Sequence, residues 1–178
     1  MVELRAMREA DLAVVRAWLA EPHVARWFLA GSTVDREVEA LRRCVSGEDP
    51  THSAVALAGG RAVGWCQWYR CHDYPDHERG VGARPGDAGI DYAIGDPTLV
   101  GRGLGTALVA AAVAAARGDL GPVGVVADPE AANVASCRVL EKNGFRLLGV
   151  RTVASEPLAA PMAVYRLAPA RPPAGGAG

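Results

Sequence analysis

The sequence predicts a single α/β domain in which helices flank a mixed central sheet, and three observations predict it. Short alternating runs and runs at helical spacing follow one another as strand, helices, three strands, helix, strand, helix, two strands. A strand-like run over 89–95 passes through glycines at 101, 103 and 105 into unbroken Ala, Leu and Val over 107–116, which reads as strand, tight loop and helix. At 178 residues, half of them hydrophobic, the chain is long enough for one domain with its own core and short for two. The domain is expected over residues 1–168, followed by a disordered Pro/Ala/Gly tail over 169–178.

Residues 2–6 alternate and read as the first strand. From Glu9, residues Leu12, Val15, Trp18 and Leu19 fall at helical spacing, and Pro22 either ends that helix or opens another. A short aromatic-bearing segment at 23–28 precedes a helix over 34–46, for which Ser32 and Asp35 resemble a capping box. Residues 53–58 and 61–69 are the strands of a hairpin turned by Gly59-Gly60. By alternation Trp65, Gln67 and Tyr69 share one face. Gln67 sits amid apolar neighbours and needs a partner if buried, so that face is expected to line a polar cleft. Trp27, Trp65 and Tyr69 are candidates for stacking on a substrate ring.

Residues 70–88 carry no periodicity and read as a long loop. The fourth strand is 89–95, and the helix behind the glycines is expected to stop at Gly118. Residues 123–127 read as a buried strand, and a helix follows from about 131 to 143, capped by Gly144. Residues 145–153 and 161–167 are the closing strands.

A net charge of −1 gives no support for nucleic-acid binding. The start is mixed and charged, unlike a signal peptide, and the longest apolar run, 107–116, is half of what spans a bilayer. A cytoplasmic protein with no membrane partner is expected. Cys44, Cys66, Cys71 and Cys137 have neither metal nor disulfide spacing, so free thiols and no metal are expected.

The glycine loop opens a helix, and such loops gather backbone N–H groups into a nest that holds phosphate. Two familiar phosphate loops are excluded. A dinucleotide fingerprint needs a third glycine where Thr106 stands, and no Gly-Lys-Ser or Gly-Lys-Thr occurs. Val100-Gly101-Arg102-Gly103-Leu104-Gly105 resembles instead the acyl-CoA pyrophosphate loop of the GNAT N-acetyltransferases, with Val100 in place of their Gln or Arg. The resemblance implies acetyl-CoA as co-substrate, bound by Leu99, Val100, Gly101, Arg102, Gly103, Leu104, Gly105 and Thr106. It also implies the GNAT fold, whose strands four and five splay apart to admit the pantetheine arm.

The segment from Asn133 to Phe145 is similar to a second GNAT pattern, Asn-x-x-(Ala/Ser) followed by Glu-Lys-x-Gly-Phe, in which the Asn contacts the cofactor arm. Many relatives carry a Tyr that protonates the departing thiolate; Leu140 stands there. Ser136 matches the Ser of ribosomal-protein N-terminal acetyltransferases and is the candidate acid in its place, although a thiolate of pKa near ~8.5 needs little help to leave.

From about residue 8 to 166 the chain resembles one branch, the aminoglycoside 6′-N-acetyltransferases. The matches are His23-Val24-Ala25-Arg26-Trp27, Gly64-Trp65-Cys66-Gln67-Trp68-Tyr69, Gly89-Ile90-Asp91, Asp128-Pro129 with Asn133, and Ala163-Val164-Tyr165. In that branch the aspartates matching Asp91 and Asp128 bind the cationic drug, and the first is the proposed base. The implied substrate site is Trp27, Gln67, Tyr69, Asp76, Asp91 and Asp128, with Asp73, Glu78 and Asp87 as further negative charge diluted by Arg70, Arg79 and Arg84. The chemistry agrees, because an ammonium must lose a proton before it attacks a thioester. A backbone N–H near Ile94 or Gly95 is the expected oxyanion donor. N-terminal protein acetylation, acylation of a hydroxylysine-type siderophore precursor, and a non-catalytic acyl-CoA-binding module stay open beside this reading. So do the identity of the drug and the choice between monomer and homodimer.

Overall fold

The computed structural model describes residues 1–153 and 160–170. Among them the chain forms β1 (Glu3–Ala6), α1 (Leu12–Ala20), α2 (Pro22–Phe28), α3 (Val34–Ser46), β2 (His52–Ala58) and β3 (Arg61–Arg70). Then come α4 (Pro75–Val81), β4 (Ala88–Ile94), α5 (Leu104–Leu120), β5 (Val125–Ala127), α6 (Val134–Lys142), β6 (Arg146–Thr152) and β7 (Pro161–Leu167). The strands make one sheet in the order β1-β2-β3-β4-β5-β7-β6, with β4 and β5 parallel and the other neighbours antiparallel. Of the expected tail, residues 171–178 lie outside the described residues.

Alternation along β3 and β4 sorts the core onto the two faces of the sheet. Cys66, Trp68 and Ile90 pack with Leu108, Val109 and Ala112 of α5 and with Leu140 of α6. Trp65 and Ala93 pack on the other face with Val15, Trp18 and Leu19 of α1 and Val38 and Leu41 of α3. Trp65 is therefore core and does not stack on a ligand: its ring lies parallel to Trp18 at 6.1 Å and tilted against Phe28 at 5.3 Å. Full burial of a side chain this large contributes at least ~3 kcal/mol, more than an exposed stacking contact returns.

Four sequence readings are corrected. The long loop of 70–88 contains α4, begun by Pro75 at its first position and ended by Gly82; a seven-residue helix is too short to register as periodicity. The cap of α3 is Thr33, whose Oγ1 accepts from the Arg36 N–H at 3.3 Å, while Ser32 bonds Glu37 instead. Helix α5 runs through Gly118 and ends at Gly121, because one interior glycine costs only ~1 kcal/mol against a helix rich in Ala and Leu. Helix α6 starts at Val134, later than expected, because the Asn133 side chain caps it.

Strands β4 and β5 pair at two positions only, Ala88 with Val125 and Gly89 with Val126, and then part. The closed end of this fork is clamped by a buried ion pair. Arg166 of β7 donates through Nε and Nη2 to the two oxygens of Asp87, at 2.7 and 2.8 Å. The Asp87 side chain is 3% exposed and also accepts the Arg84 N–H. Removing one charge strands the other, so Asp87→Asn is expected to cost about 3–5 kcal/mol. That corresponds to a thermal midpoint lower by on the order of 10 °C. A midpoint within about 2 °C of the parent would show that the clamp does not hold the fork.

Candidate active site

The register of β4 and β5, continued past Gly89, sets Asp91 opposite Asp128, the first residue after β5. Two carboxylates thus flank the gap where the strands separate. A cleft of about 500 Å³ opens there, lined by both of them. Tyr92, the next residue on β4, lines it as well. Successive strand side chains point to opposite faces, so the cleft passes through the sheet.

On the Asp91 face, Gln67 stands opposite Asp91 on β3 and donates from Nε2 to Ser53 Oγ at 3.3 Å. Tyr69, two residues on, lies over Gly89, where an added Cβ would meet the ring at 2.4 Å. The glycine of Gly-Ile-Asp is thus required by close approach. The Tyr69 ring meets Tyr74 edge-on at 5.1 Å, and its hydroxyl is 3.4 Å from His77 Nε2. The same nitrogen lies 3.4 Å from Asp128 Oδ1. The Asp128 side chain is only 9% exposed, and its Oδ2 is buried without a hydrogen-bond partner among the described residues. A buried polar oxygen left in that state is satisfied when a donor arrives.

Charge around the cleft has one sign. Glu37, Asp49, Asp91, Asp128 and Glu130 line it, and no Lys or Arg lines it among the described residues. Burial alone raises the Asp49 carboxyl, but donation from Tyr74 and Thr51 outweighs it and holds the group below the usual carboxylate range. Burial, with Asp49 beside it, pushes the Tyr74 phenol up to about 12. Cys44 also lines the cleft, yet burial and Asp49 raise its thiol, so it is no thiolate nucleophile.

The remaining expected residues divide. Trp27 of α2 lines the cleft, and His23 on the same helix donates from Nε2 to the Ile94 carbonyl at 2.9 Å, fastening α2 to the end of β4. Asn133 and Ser136 line it from α6. Asp76 does not: it is ion-paired to Arg79 on the exposed side of α4. Asp73, Glu78 and Asp87 are not in the lining either, nor are the arginines expected to dilute the charge. Gly95 is no oxyanion donor, because its N–H donates to Val63 at 2.8 Å. Hydrogen-bonding direction alternates along the ladder, so Ile94 turns its main-chain groups away from β3, toward the gap. Leu140 is wholly buried in the core.

The glycine loop follows β4 as a turn outside the cleft lining, with Val100 and Arg102 exposed. Gly101 and Gly103 have φ of 79° and 82°, and a Cβ built on either meets nothing within 4 Å. No side chain caps α5 among the described residues, and its first intrahelical bond is Ala107 N–H to Gly103. The N–H groups of Leu104, Gly105 and Thr106 therefore point forward as donors. Helix α6 joins loop to cleft: Asn143 Nδ2 donates to the Thr106 carbonyl at 3.2 Å, and Asn133 and Ser136 lie at the opposite end of that helix.

The family model described as acetyltransferase (GNAT) domain matches residues 7–153. The chain belongs to the GNAT acetyltransferase family. Among its GNAT relatives, the aminoglycoside N(6′)-acetyltransferase type 1 of Klebsiella pneumoniae is 30% identical over 159 residues, covering 88% of this chain and 79% of its own. The kanamycin resistance protein of Rhizobium radiobacter is 36% identical over 73 residues, 41% of this chain and 68% of its own. The crystal structure of aminoglycoside acetyltransferase AAC(6′)-Ib with coenzyme A superposes with a TM-score of 0.81 at 28% identity, over 94% of this chain and 95% of that one. The same TM-score is found for that enzyme with coenzyme A and kanamycin. The GNAT resemblance read from the glycine loop and the Asn133 segment is thus borne out.

Sequence reasoning missed Tyr92, Glu37, Asp49, Glu130, Tyr74 and His77. Tyr92 lies in no motif and sits on the face of β4 away from Asp91. Tyr74 and His77 lie in or beside the unrecognised α4. Glu37, Asp49 and Glu130 carry no local signal, since only the fold brings α3 and the chain after β5 to one cleft.

Proposed function

We propose that this chain transfers the acetyl group of acetyl-CoA to the 6′-amine of an aminoglycoside, and that it thereby confers resistance in the cytoplasm, where acetyl-CoA is found. One observation carries the substrate reading: among the described residues the cleft has five lining carboxylates, no Lys or Arg, and a buried carboxylate oxygen, Asp128 Oδ2, that lacks a partner. A polyamine supplies what such a site is missing. The named activities of the Klebsiella and Rhizobium relatives, and the ligands of the AAC(6′)-Ib structures, support the same class.

The residues present fit acetyl-CoA. Within the loop, the N–H groups of Leu99, Val100 and Arg102 are used in its own turns, and those of Leu104, Gly105 and Thr106 supply donors at an uncapped helix N-terminus, with Arg102 exposed beside them for charge. The fork between β4 and β5 leaves room for an extended arm, and Asn133 Nδ2, with no bond among the described residues, faces the same opening as a donor. The bound co-substrate supplies an activated acyl group as a thioester. Asp128 and Asp91 hold an ammonium between them across the fork. Asp91 takes its proton, directly or through water, and frees the nitrogen lone pair. The Ile94 N–H is the main-chain donor placed at the gap for developing oxygen charge. Trp27 and Tyr69 line the cleft as aromatic surface beside a sugar ring, and the Gln67 amide offers a polar contact.

Gly103→Val tests the loop. A β-branched residue at φ near 82° is strained, and its side chain projects where a phosphate approaches. Acetyl-CoA affinity by calorimetry is expected to fall at least roughly tenfold in a still-folded variant; unchanged affinity would remove the loop from the site. A panel of aminoglycosides with acetyl-CoA, read by thiol release, tests the substrate class. Modification of a ribosomal-protein N-terminal peptide, with no drug turned over, would replace it by protein acetylation.

A further inference from the structure

Most hydroxyl groups lining the cleft have an evident partner. Ser32 donates to Glu37 at 2.5 Å, Tyr74 donates to Asp49 at 2.6 Å, and Thr51 bonds Tyr74 at 2.5 Å. Tyr69 lies 3.4 Å from His77. Among the described residues the remaining pair bonds within itself: the Tyr92 hydroxyl lies 2.6 Å from Ser136 Oγ and 3.4 Å from the Ser136 carbonyl. Both residues line the cleft.

The position of this pair is more telling than its length. Asp91 and Tyr92 are neighbours in β4 and face the through-sheet cleft from opposite sides. Asp91 shares its side with Gln67, whereas Tyr92 packs with the α5 and α6 core. That second side also carries the glycine loop, tied to α6 through Asn143 and Thr106. The acidic, amine-accepting half of the cleft and the acyl-CoA half therefore meet at β4, with a proton acceptor on one side and a neutral O–H donor on the other. One turn of α6 beyond Ser136, Leu140 is buried and offers no donor.

We propose, on the acyl-CoA reading given above, that Tyr92 is a catalytic residue whose O–H donates to the departing sulfur, while Ser136 turns its own O–H onto the Tyr92 oxygen. The C–N bond forms from the amine lone pair, and the C–S electron pair goes to sulfur. The first ammonium proton goes to Asp91 and the second leaves the nitrogen to water as the amide forms. The thiolate departs as an anion held by the Tyr92 hydrogen bond and takes its proton from water on release. Tyr92 gives up no proton, and burial, which raises its phenol, keeps it a donor throughout the working pH range.

Tyr92→Phe keeps the ring and removes the donor. The test compares parent, Tyr92→Phe, Ser136→Ala and the double variant, each checked for folding by thermal unfolding. Thiol release is followed with acetyl-CoA and kanamycin. For Tyr92→Phe, kcat is expected to fall about thirtyfold, with acetyl-CoA affinity by calorimetry within about twofold of the parent and the shape of the pH–rate profile unchanged. Ser136→Ala is expected to lose no more than roughly tenfold. The double variant should be no slower than Tyr92→Phe alone, because Ser136 acts through Tyr92. Parent-like kcat in Tyr92→Phe, or losses that multiply in the double variant, would overturn the assignment while leaving the aminoglycoside reading intact. If the parent acetylates no aminoglycoside, that reading fails separately. The same variants are then compared in the slow hydrolysis of acetyl-CoA, where the same thirtyfold loss is expected and equal rates refute the role of Tyr92.

Discussion

Replacing Asp91 by Asn is expected to lower kcat for kanamycin acetylation by roughly 10³-fold, within the range for removal of a positioned general base. Asn fills the same volume, so packing against Gln67 across the β3–β4 ladder is kept. What is lost is the acceptor for the ammonium proton and one of the two charges flanking the fork. Acetyl-CoA affinity should be unchanged, since the glycine loop lies beyond β4 and outside the cleft lining. A drop in kcat with intact co-substrate binding is the signature of a group acting on the amine. Less than a threefold change would assign proton removal elsewhere, with Glu37, Asp49, Asp128 and Glu130 as the other carboxylates lining the cleft among the described residues.

Replacing Asp128 by Asn is expected to act mainly on KM. The buried Oδ2 lacks a partner among the described residues, and an arriving ammonium satisfies it with a charge-assisted hydrogen bond. Removing the charge from such a buried pair costs about 3 kcal/mol, or roughly 10² in kcat/KM. The same change replaces a buried carboxylate, contacted by His77 at Oδ1 alone among the described residues, with a neutral amide, so the variant should be as stable as the parent or more so. Lower substrate affinity with equal or greater thermal stability is an unusual combination, and a variant that loses both would show that Asp128 is structural. His77, at 3.4 Å from Oδ1, provides a control: His77→Gln keeps a donor there and should change KM only a few-fold.

The fold was largely legible because its signals are local. The glycine loop, the alternation in β3 and β4, and the apolar α5 lie in short windows, and the element order followed from them. The elements that escaped were those where tertiary packing overrides local preference. Helix α4 is seven residues long and is held by Val81 packing on Val126, Val153 and Val164. Gly118 reads as a stop but stays inside a helix whose Ala112 and Ala116 are buried on both of the preceding turns. At the site, Asp91 and Asp128 were named from the pattern around each, yet their opposition across the fork follows only from the parallel register. Asp76 shows the converse: as a charge in the sequence it looked like a ligand, while the fold turns it to solvent and pairs it with Arg79. Tyr92 belongs to no motif, and only a cleft that runs through the sheet brings it to the site from the face opposite Asp91.

The most direct test of the central claim is product analysis after incubation of the protein with acetyl-CoA and kanamycin. The account predicts one acetyl group on the 6′-amine, one thiol released per acetyl transferred, and near-complete loss of product with Asp91→Asn. An unmodified drug in the presence of tightly bound acetyl-CoA, or equal product from parent and Asp91→Asn, would contradict it.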